Sequence, residues 1–424
     1  MVFKITHILK DLLSTVSNRA DKLLVLDNGK SSTTAIDSIQ HCEVECIKTE
    51  DINNLSCSLV LYNGVIDAEF ASVCLSCLLP DGYVMLVTKC AQIDESLENQ
   101  PEPTTYSVDK VLKSTPSVKS FGFVFVASRT IEKYEDNHML YSSVFKKVLL
   151  DPKLDRRLDS LQDVLNDRTY TTKILRIFDK VFSREGDPGF ISTGGADVTE
   201  ECLKKLNLQP GQRVLDVGCG AGGPLIQTAK KYKTHMIGVD ISSNMINAAA
   251  EATEKLQDLN IELEVCDIER REFPEGYFDA IYSKDVILHI VRKKDLFKKF
   301  LKWLKPGGKL LITDYCKTEN EQFSDLMQAY MEKRANVWFL ITPPTYGQLI
   351  KDAGFVNNDV QVKHDIFREC AVKENISFVN KKESLLKEFD QAFVDDWLDV
   401  WKKKVQIIDN GDLTWGVFYS EKAL

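Results

Sequence analysis

Short, nearly unbroken apolar runs, each closing on an acidic or glycine-rich step, recur through the second half of the chain. Val214-Leu215-Asp216-Val217 leads into Gly218-Cys219-Gly220-Ala221-Gly222-Gly223, Met236-Ile237-Gly238-Val239 ends on Asp240, and Glu262-Leu263-Glu264-Val265-Cys266 ends on Asp267. Runs of this length and density predict strands covered on both faces, as in a parallel sheet whose connections are helices. The expected rhythm is βαβαβ. Phe278 to Ser283 reads as a fourth strand, and Trp303 to Asp314 as a helix end, a Pro306-Gly307-Gly308 turn and a fifth strand.

The first half echoes this pattern in the same order. Lys22 to Gly29 parallels Arg213 to Gly218, Ser58 to Tyr62 parallels Phe278 to Tyr282, and Leu79 to Thr88 parallels Lys305 to Thr313. The glycine cluster is missing from the copy: Asp27-Asn28-Gly29 is followed by Lys30-Ser31-Ser32, whose side chains would obstruct close approach of a ligand. A sheet of the same kind without a cofactor site is expected over residues 1–150, with the intact copy over 151–424. Asn99 to Thr104 reads as a surface loop and Phe121 to Val126 as the last strand of the first domain. Thr130 to Leu165 reads as a charged, partly helical connection with a break at Asp151-Pro152.

Length and composition fit two cores, with 424 residues and 44% hydrophobic content. A net charge of −9 provides no basic stripe, which argues against nucleic acid and for a small substrate. No long apolar run suggests membrane insertion, Met1 to His7 has no signal-peptide character, and a cytoplasmic protein is expected. The eleven cysteines suggest neither a disulfide framework nor a zinc site; Cys74 and Cys77 read as helical core, Cys42, Cys46, Cys57 and Cys90 as strand interior, and Cys219 as small filler.

The glycine turn points to a nucleotide cofactor, because residues without a Cβ let the backbone turn sharply at a strand end and approach a ligand. Gly218 to Gly223 also satisfies the dinucleotide pattern, so glycines alone do not separate NAD from S-adenosylmethionine. Asp216 decides for S-adenosylmethionine: a carboxylate there suits a cationic methionine end and would repel a pyrophosphate. Asp240 is expected to hold the ribose and Asp267 the adenine. Ser283 to His289 follows the fourth strand at the ligand-bearing edge, with Asp285 and His289 expected on one helical face. Lys402-Lys403-Lys404, beside Trp397 and Trp401, suggests an amphipathic helix with one side docked.

Tyr282 to His289, together with Leu311-Ile312-Thr313-Asp314-Tyr315-Cys316, Gly189 to Gly195 and Trp415 to Phe418, resembles the phosphoethanolamine N-methyltransferases. The likeness runs from about Arg168 to the C-terminus, and the worn first half resembles the nematode second-step type. The resemblance implies a Rossmann-like class I S-adenosylmethionine-dependent methyltransferase domain preceded by a degenerate methyltransferase-like α/β domain. It implies methylation of phosphomonomethylethanolamine and phosphodimethylethanolamine to phosphocholine for phosphatidylcholine synthesis, with S-adenosylhomocysteine as product, no metal, and a monomer.

The resemblance further implies a catalytic dyad of Tyr170 and His289, with Thr169, Phe178 and Asp285 near the amine. Tyr315, Tyr330, Arg334 and Lys404 are implied at the phosphate. Cofactor contacts fall on Ile191, Ser192, Asp216, Gly218, Gly220, Asp240, Ile241, Asp267, Ile268, Ser283 and Lys284, with Tyr170 to Gly195 as a lid. The chain departs from the family pattern in having Asn336 for a tyrosine, with Trp338 as a substitute, Lys284 for an arginine, and Phe178 where a tyrosine occurs. The alternatives are a sterol-type or other small-molecule methyltransferase, which has no use for a phosphate cluster, an NAD-dependent oxidoreductase, and a non-catalytic scaffold.

Overall fold

In the computed structural model the described residues are 22–26, 43–47, 57–63, 78–91, 121–133, 138–149, 170–182, 189–254, 256, 258–320, 322–332 and 338–424. They divide into two compact bodies, one of 1–167 with 264–274 and one of 168–263 with 275–424.

The first body contains β1 (Lys22–Leu26), β2 (Glu43–Ile47), β3 (Cys57–Asn63), β4 (Leu78–Ala91), β5 (Phe121–Lys133) and β6 (His138–Leu149). Parallel pairing runs β2-β1-β3-β4, and β6 then lies antiparallel to both β4 and β5. The predicted strands at Lys22, Ser58 and Leu79 are β1, β3 and β4. Two expectations are corrected. The strand from Phe121 continues to Lys133, and much of the stretch read as a partly helical connection is strand β6. Alternation in His138-Met139-Leu140-Tyr141-Ser142-Ser143-Val144-Phe145 is imperfect, and the pairing with β4 overrides it. The turn after β1, the Asn99 loop and the Cys74/Cys77 pair lie outside the described residues.

The second body repeats this topology. Its strands are β7 (Arg213–Val217), β8 (His235–Asp240), β9 (Ile261–Cys266, of which 264–266 are counted with the first body), β10 (Phe278–Lys284), β11 (Leu304–Lys317), β12 (Val356–Val362) and β13 (Leu413–Glu421). Parallel pairing runs β8-β7-β10-β11, and β13 lies antiparallel to both β11 and β12. The order β8-β7-β10-β11-β13-β12 thus matches β2-β1-β3-β4-β6-β5 strand for strand. Val214, Leu215, Ile281, Leu310, Leu311 and Ile312 are sealed from water, as strands covered on both faces require.

Helices α1 (Thr172–Phe182), α2 (Gly195–Leu203), α3 (Gly223–Tyr232), α4 (Ser243–Thr253), α5 (Lys293–Trp303), α6 (Asp325–Glu332), α7 (Pro343–Asp352), α8 (His364–Leu385) and α9 (Gln391–Asp409) complete the body. In α1 the apolar residues Ile174, Ile177, Phe178, Val181 and Phe182 fall on one stripe, and Lys173, Arg176 and Lys180 on the other face. The stripe meets α8 and α9 in an aromatic core, where Phe378 contacts Trp401 at a centroid distance of 5.6 Å and Phe182 at 5.5 Å. Asp390 starts α9 by accepting from the Phe393 amide at 2.8 Å. Truncating the fully buried ring by Phe378→Ala is expected to cost about 3–5 kcal/mol, read as a lower urea midpoint; an unchanged midpoint would show that this core is dispensable.

Candidate active site

The carboxyl ends of β7, β8, β10 and β11 form the working edge of the second body. β7 delivers Asp216, which is 2% exposed and leaves Oδ2 without a hydrogen-bond partner. Burial pushes this carboxyl up to about 7, and the Asp240 carboxylate adds to the effect. Such a group gains from a cationic neighbour delivered from outside the chain, and the ammonium of a methionine-type ligand is one.

The turn after β7 is built for close approach. Gly218, Gly220 and Gly222 have φ of 74°, 53° and 86°, and a Cβ on Gly218 would lie 2.2 Å from Val286 Cγ2. The Gly218 and Cys219 amides donate to the Val239 carbonyl at 2.7 and 3.0 Å, tying the turn to β8. Asp240 ends β8 and accepts from the Gly220 and Ser242 amides at 2.9 Å each, which aims its carboxylate along the turn. Ile241 beside it is 45% exposed, an apolar surface suited to a flat ring. The donor set, the cradle and the unpartnered oxygen therefore fit an S-adenosyl cofactor.

The segment expected as a lid reaches the same turn. The Gly223 amide donates to the Gly189 carbonyl at 3.2 Å, and a Cβ on Gly189 would stand 2.6 Å from the Ala221 oxygen. A Cβ on Gly220 would meet Ile191 Cδ1 at 3.2 Å. Ser192 is half-buried in the same loop, and Asn244 of α4 donates to the Tyr170 carbonyl at 3.0 Å.

Asp285 follows β10 with φ of 59°, so the helical face expected for Asp285 and His289 is not formed. Pairing of its amide with the Thr313 carbonyl at 2.8 Å holds Asp285 left-handed, and only Ile287–His289 makes a 3-10 turn. The Asp285 carboxylate is gripped from two sides: Oδ2 accepts from the Thr193 amide at 2.9 Å and Oδ1 from Trp415 Nε1 at 2.8 Å. Thr193 Oγ1 donates to the Tyr315 hydroxyl at 3.2 Å, and Lys404 Nζ donates to that hydroxyl at 3.0 Å. Burial pushes the Tyr315 phenol up to about 12 despite the lysine beside it. Trp338 lies edge-on to both Tyr315 and Tyr330, with centroids 5.8 Å away in each case.

Several predicted residues stand differently. Ser283 Oγ donates to the Val217 carbonyl at 2.9 Å and the buried Lys284 Nζ donates to Thr199 Oγ1 at 2.7 Å, so these side chains are spent within the fold. Phe178 packs edge-on against Trp397 at 4.9 Å, in the aromatic core of α1, α8 and α9. Lys404 belongs to the docked side of α9, buried with Trp401, while Lys402 is exposed. Asp267 accepts from the Glu269 amide at 2.9 Å and pairs with Arg270 at 3.3 Å; it and Ile268 follow β9. Thr169, Arg334 and Asn336 lie outside the described residues. Thr193, Glu374 and Trp415 were not singled out by sequence as site residues; Thr193 and Trp415 carried a signal, as members of the Gly189 to Gly195 and terminal motifs, and Glu374 carried none.

A parallel sheet with an antiparallel final pair, a glycine turn after its first strand and acidic residues at the next strand ends define an S-adenosylmethionine-dependent methyltransferase. Residues 208–396 match the model of a methyltransferase domain. The chain is 38% identical to phosphoethanolamine N-methyltransferase 1 of Zea mays over 354 residues, covering 80% of this chain and 68% of the maize protein. It is 34% identical to the phosphoethanolamine N-methyltransferase of Plasmodium falciparum over 271 residues, 63% of this chain and 99% of that one. In structure it resembles phosphoethanolamine N-methyltransferase 2 of Haemonchus contortus, solved with phosphomonomethylethanolamine and S-adenosylhomocysteine, with a TM-score of 0.77, 24% identity and full coverage of both chains. The chain belongs to the phosphoethanolamine N-methyltransferase family.

Asp216→Asn gives a signed test. A carboxyl whose folded value lies above its unfolded value costs stability as pH rises from the unfolded value through about 7. Ligand-free Asp216→Asn protein is therefore expected to melt higher than the parent at pH 8 and by a smaller margin at pH 5, while S-adenosylhomocysteine affinity falls roughly 10- to 100-fold with loss of a charged contact. A variant melting lower than the parent at pH 8, measured by thermal unfolding, would contradict the burial argument.

Proposed function

We propose that the chain transfers methyl groups from S-adenosylmethionine to the amines of phosphomonomethylethanolamine and phosphodimethylethanolamine, yielding phosphocholine. One observation carries this reading. A single residue, Thr193, bonds through its amide to an anion, Asp285, and through its hydroxyl to Tyr315, which in turn meets the cation Lys404. A substrate positive at one end and negative at the other is the complement of such a pair. A sterol has no group for Lys404, and a hydride-transfer site has no need of either.

The cofactor supplies a methyl group activated on a sulfonium. In this reading Asp216 takes its ammonium, Asp240 the ribose, and Ile191, Ser192, Gly218, Gly220 and Ile241 line it. Asp267 and Ile268 are assigned the adenine on the rhythm of strand ends, and Ser283 and Lys284 act through the main chain, their side chains being bonded within the fold. Asp285 attracts the substrate amine by charge. That amine, with an ordinary value of about 10 by analogy with lysine, must lose a proton before its lone pair can attack. His289, with Tyr170 as its partner in the dyad that the resemblance implies, removes it. Lys404, Tyr315, Tyr330 and Arg334 hold the phosphate, with Trp338 in place of the missing tyrosine. Phe178 lies within the lid segment itself, where its ring packs edge-on against Trp397.

The first domain, over 1–150, is read as a methyltransferase-like fold without a cofactor site, supported by its matching strand order and by Lys30-Ser31-Ser32 in the sequence. The protein is read as a cytoplasmic monomer; among the described residues no helix is long and apolar enough to cross a membrane.

Transfer of labelled methyl from S-adenosylmethionine tests the function. With the mono- and dimethyl phosphobases as acceptors, label is expected in the dimethyl compound and in phosphocholine, and no transfer to any phosphobase would refute it. His289→Ala is expected to lower kcat by about 10² to 10⁴ with unchanged cofactor affinity. Lys404→Met is expected to raise KM for the phosphobase roughly 10- to 100-fold. Equal loss of cofactor binding in either variant would contradict the assigned roles.

A further inference from the structure

We propose that Glu374, which has no part in the reading above, is the counter-anion that keeps Lys404 charged and aimed before substrate arrives, and thereby sets how tightly the phosphate end is held. The proposal rests on Lys404 being a phosphate ligand. Lys404 is deeply buried, with Nζ 4.2 Å from the centroid of Trp401, 5.2 Å from Tyr315 and 5.5 Å from Phe367. An ammonium in such surroundings tends to shed its proton, and a neutral amine would be a poor partner for phosphate. Ring faces offset part of this cost and a carboxylate offsets more.

Glu374 Oε2 lies 3.0 Å from Lys404 Nζ, in a largely buried pair. Its other oxygen, Oε1, accepts from the Gly194 amide at 3.4 Å, at the left-handed residue that starts α2, so both carboxylate oxygens are fixed. The titratable groups facing Lys404 are Glu374 and Cys370 from α8, Tyr315 from β11 and Tyr330 from α6; Lys284 and Asp285 lie one step further, acting on Glu374 and Tyr315. Burial pulls Lys404 down, and Glu374, followed by Tyr315 and Tyr330, more than reverses this, leaving it above the ordinary lysine value. Of the three ammonium donors, Tyr315 takes one at 3.0 Å and Glu374 another, which directs the third toward a substrate oxygen.

Two opposite roles are physically possible for a carboxylate beside a phosphate-binding lysine. A competitor weakens phosphate binding, and its removal tightens it. A charge-keeper strengthens binding, and its removal makes affinity depend on pH. The geometry points to the second, because nothing else anionic contacts an ammonium this deeply buried among the described residues.

The test is the KM of Glu374→Gln for phosphomonomethylethanolamine, divided by that of the parent at each pH, which cancels titration of the substrate amine. The ratio is expected to rise about tenfold per pH unit above the lowered Lys404 value, within a window of about pH 7 to 9.5, with kcat at saturation and S-adenosylhomocysteine affinity unchanged. Glu374→Asp, which keeps the carboxylate, is expected to show a flat ratio. A flat ratio in Glu374→Gln, or a lower KM than the parent, overturns the proposal. Lys404→Met separates the layers: if it leaves KM unchanged the phosphate reading itself fails, whereas a raised KM with a flat Glu374→Gln ratio defeats only the role of Glu374. Should Glu374→Gln fail to hold S-adenosylhomocysteine, inhibition of the parent by inorganic phosphate decides. Its constant is expected to stay level from about pH 8 to 9.5, and a rise there overturns the proposal.

Discussion

A carboxylate shut away from water with one oxygen unpartnered is costly, and Asp216 imposes that cost on the whole working edge. The sheet relieves it only in part: β8 brings the Asp240 carboxylate close by, and the buried Lys284 at the end of β10 offsets burial without reversing it. The glycines of the following turn then matter for a second reason besides conformation. They let Val286, Ile191 and Ala249 pack directly against the turn backbone, which holds it close to the strand end that carries Asp216.

From this edge the chemistry spreads by short connections between elements far apart in sequence. Asp285 is anchored by the loop before α2 and by the indole of β13. Thr193 passes the connection to Tyr315, Tyr315 to Lys404, and Lys404 to Glu374 on α8. In the proposed reading the groups for the amine and for the phosphate therefore meet at one loop. That arrangement suits orientation-driven transfer, in which holding both reactants in line supplies much of the acceleration.

Much of the architecture was legible in the chain. Asp216, Gly218 to Gly223 and Asp240 announced the cofactor turn because strand, turn and acidic cap are local events with local residue requirements. The echo in the first half was legible for the same reason, and the matched strand orders of the two bodies bear it out at the level of topology. Strand β6 was missed because its alternation is blurred and its partners, β4 and β5, decide its conformation. The helical face read into Asp285 and His289 failed because a hydrogen bond to Thr313 on β11 holds Asp285 left-handed. Glu374 was invisible for a related reason: α8 carries several acidic residues, and only the crossing of α8 with α9 selects the one that meets Lys404.

In the proposed function, one pocket joins a sulfonium-binding edge to an amine site anchored by distant positive charge. Calorimetric titration of S-adenosylhomocysteine-loaded protein with phosphodimethylethanolamine and with the same amino alcohol lacking phosphate tests it most directly. The phosphorylated amine should bind at least about a hundredfold more tightly, as two or more charge-assisted contacts to its phosphate imply. Equal binding of the two amines, or none by either, would contradict it.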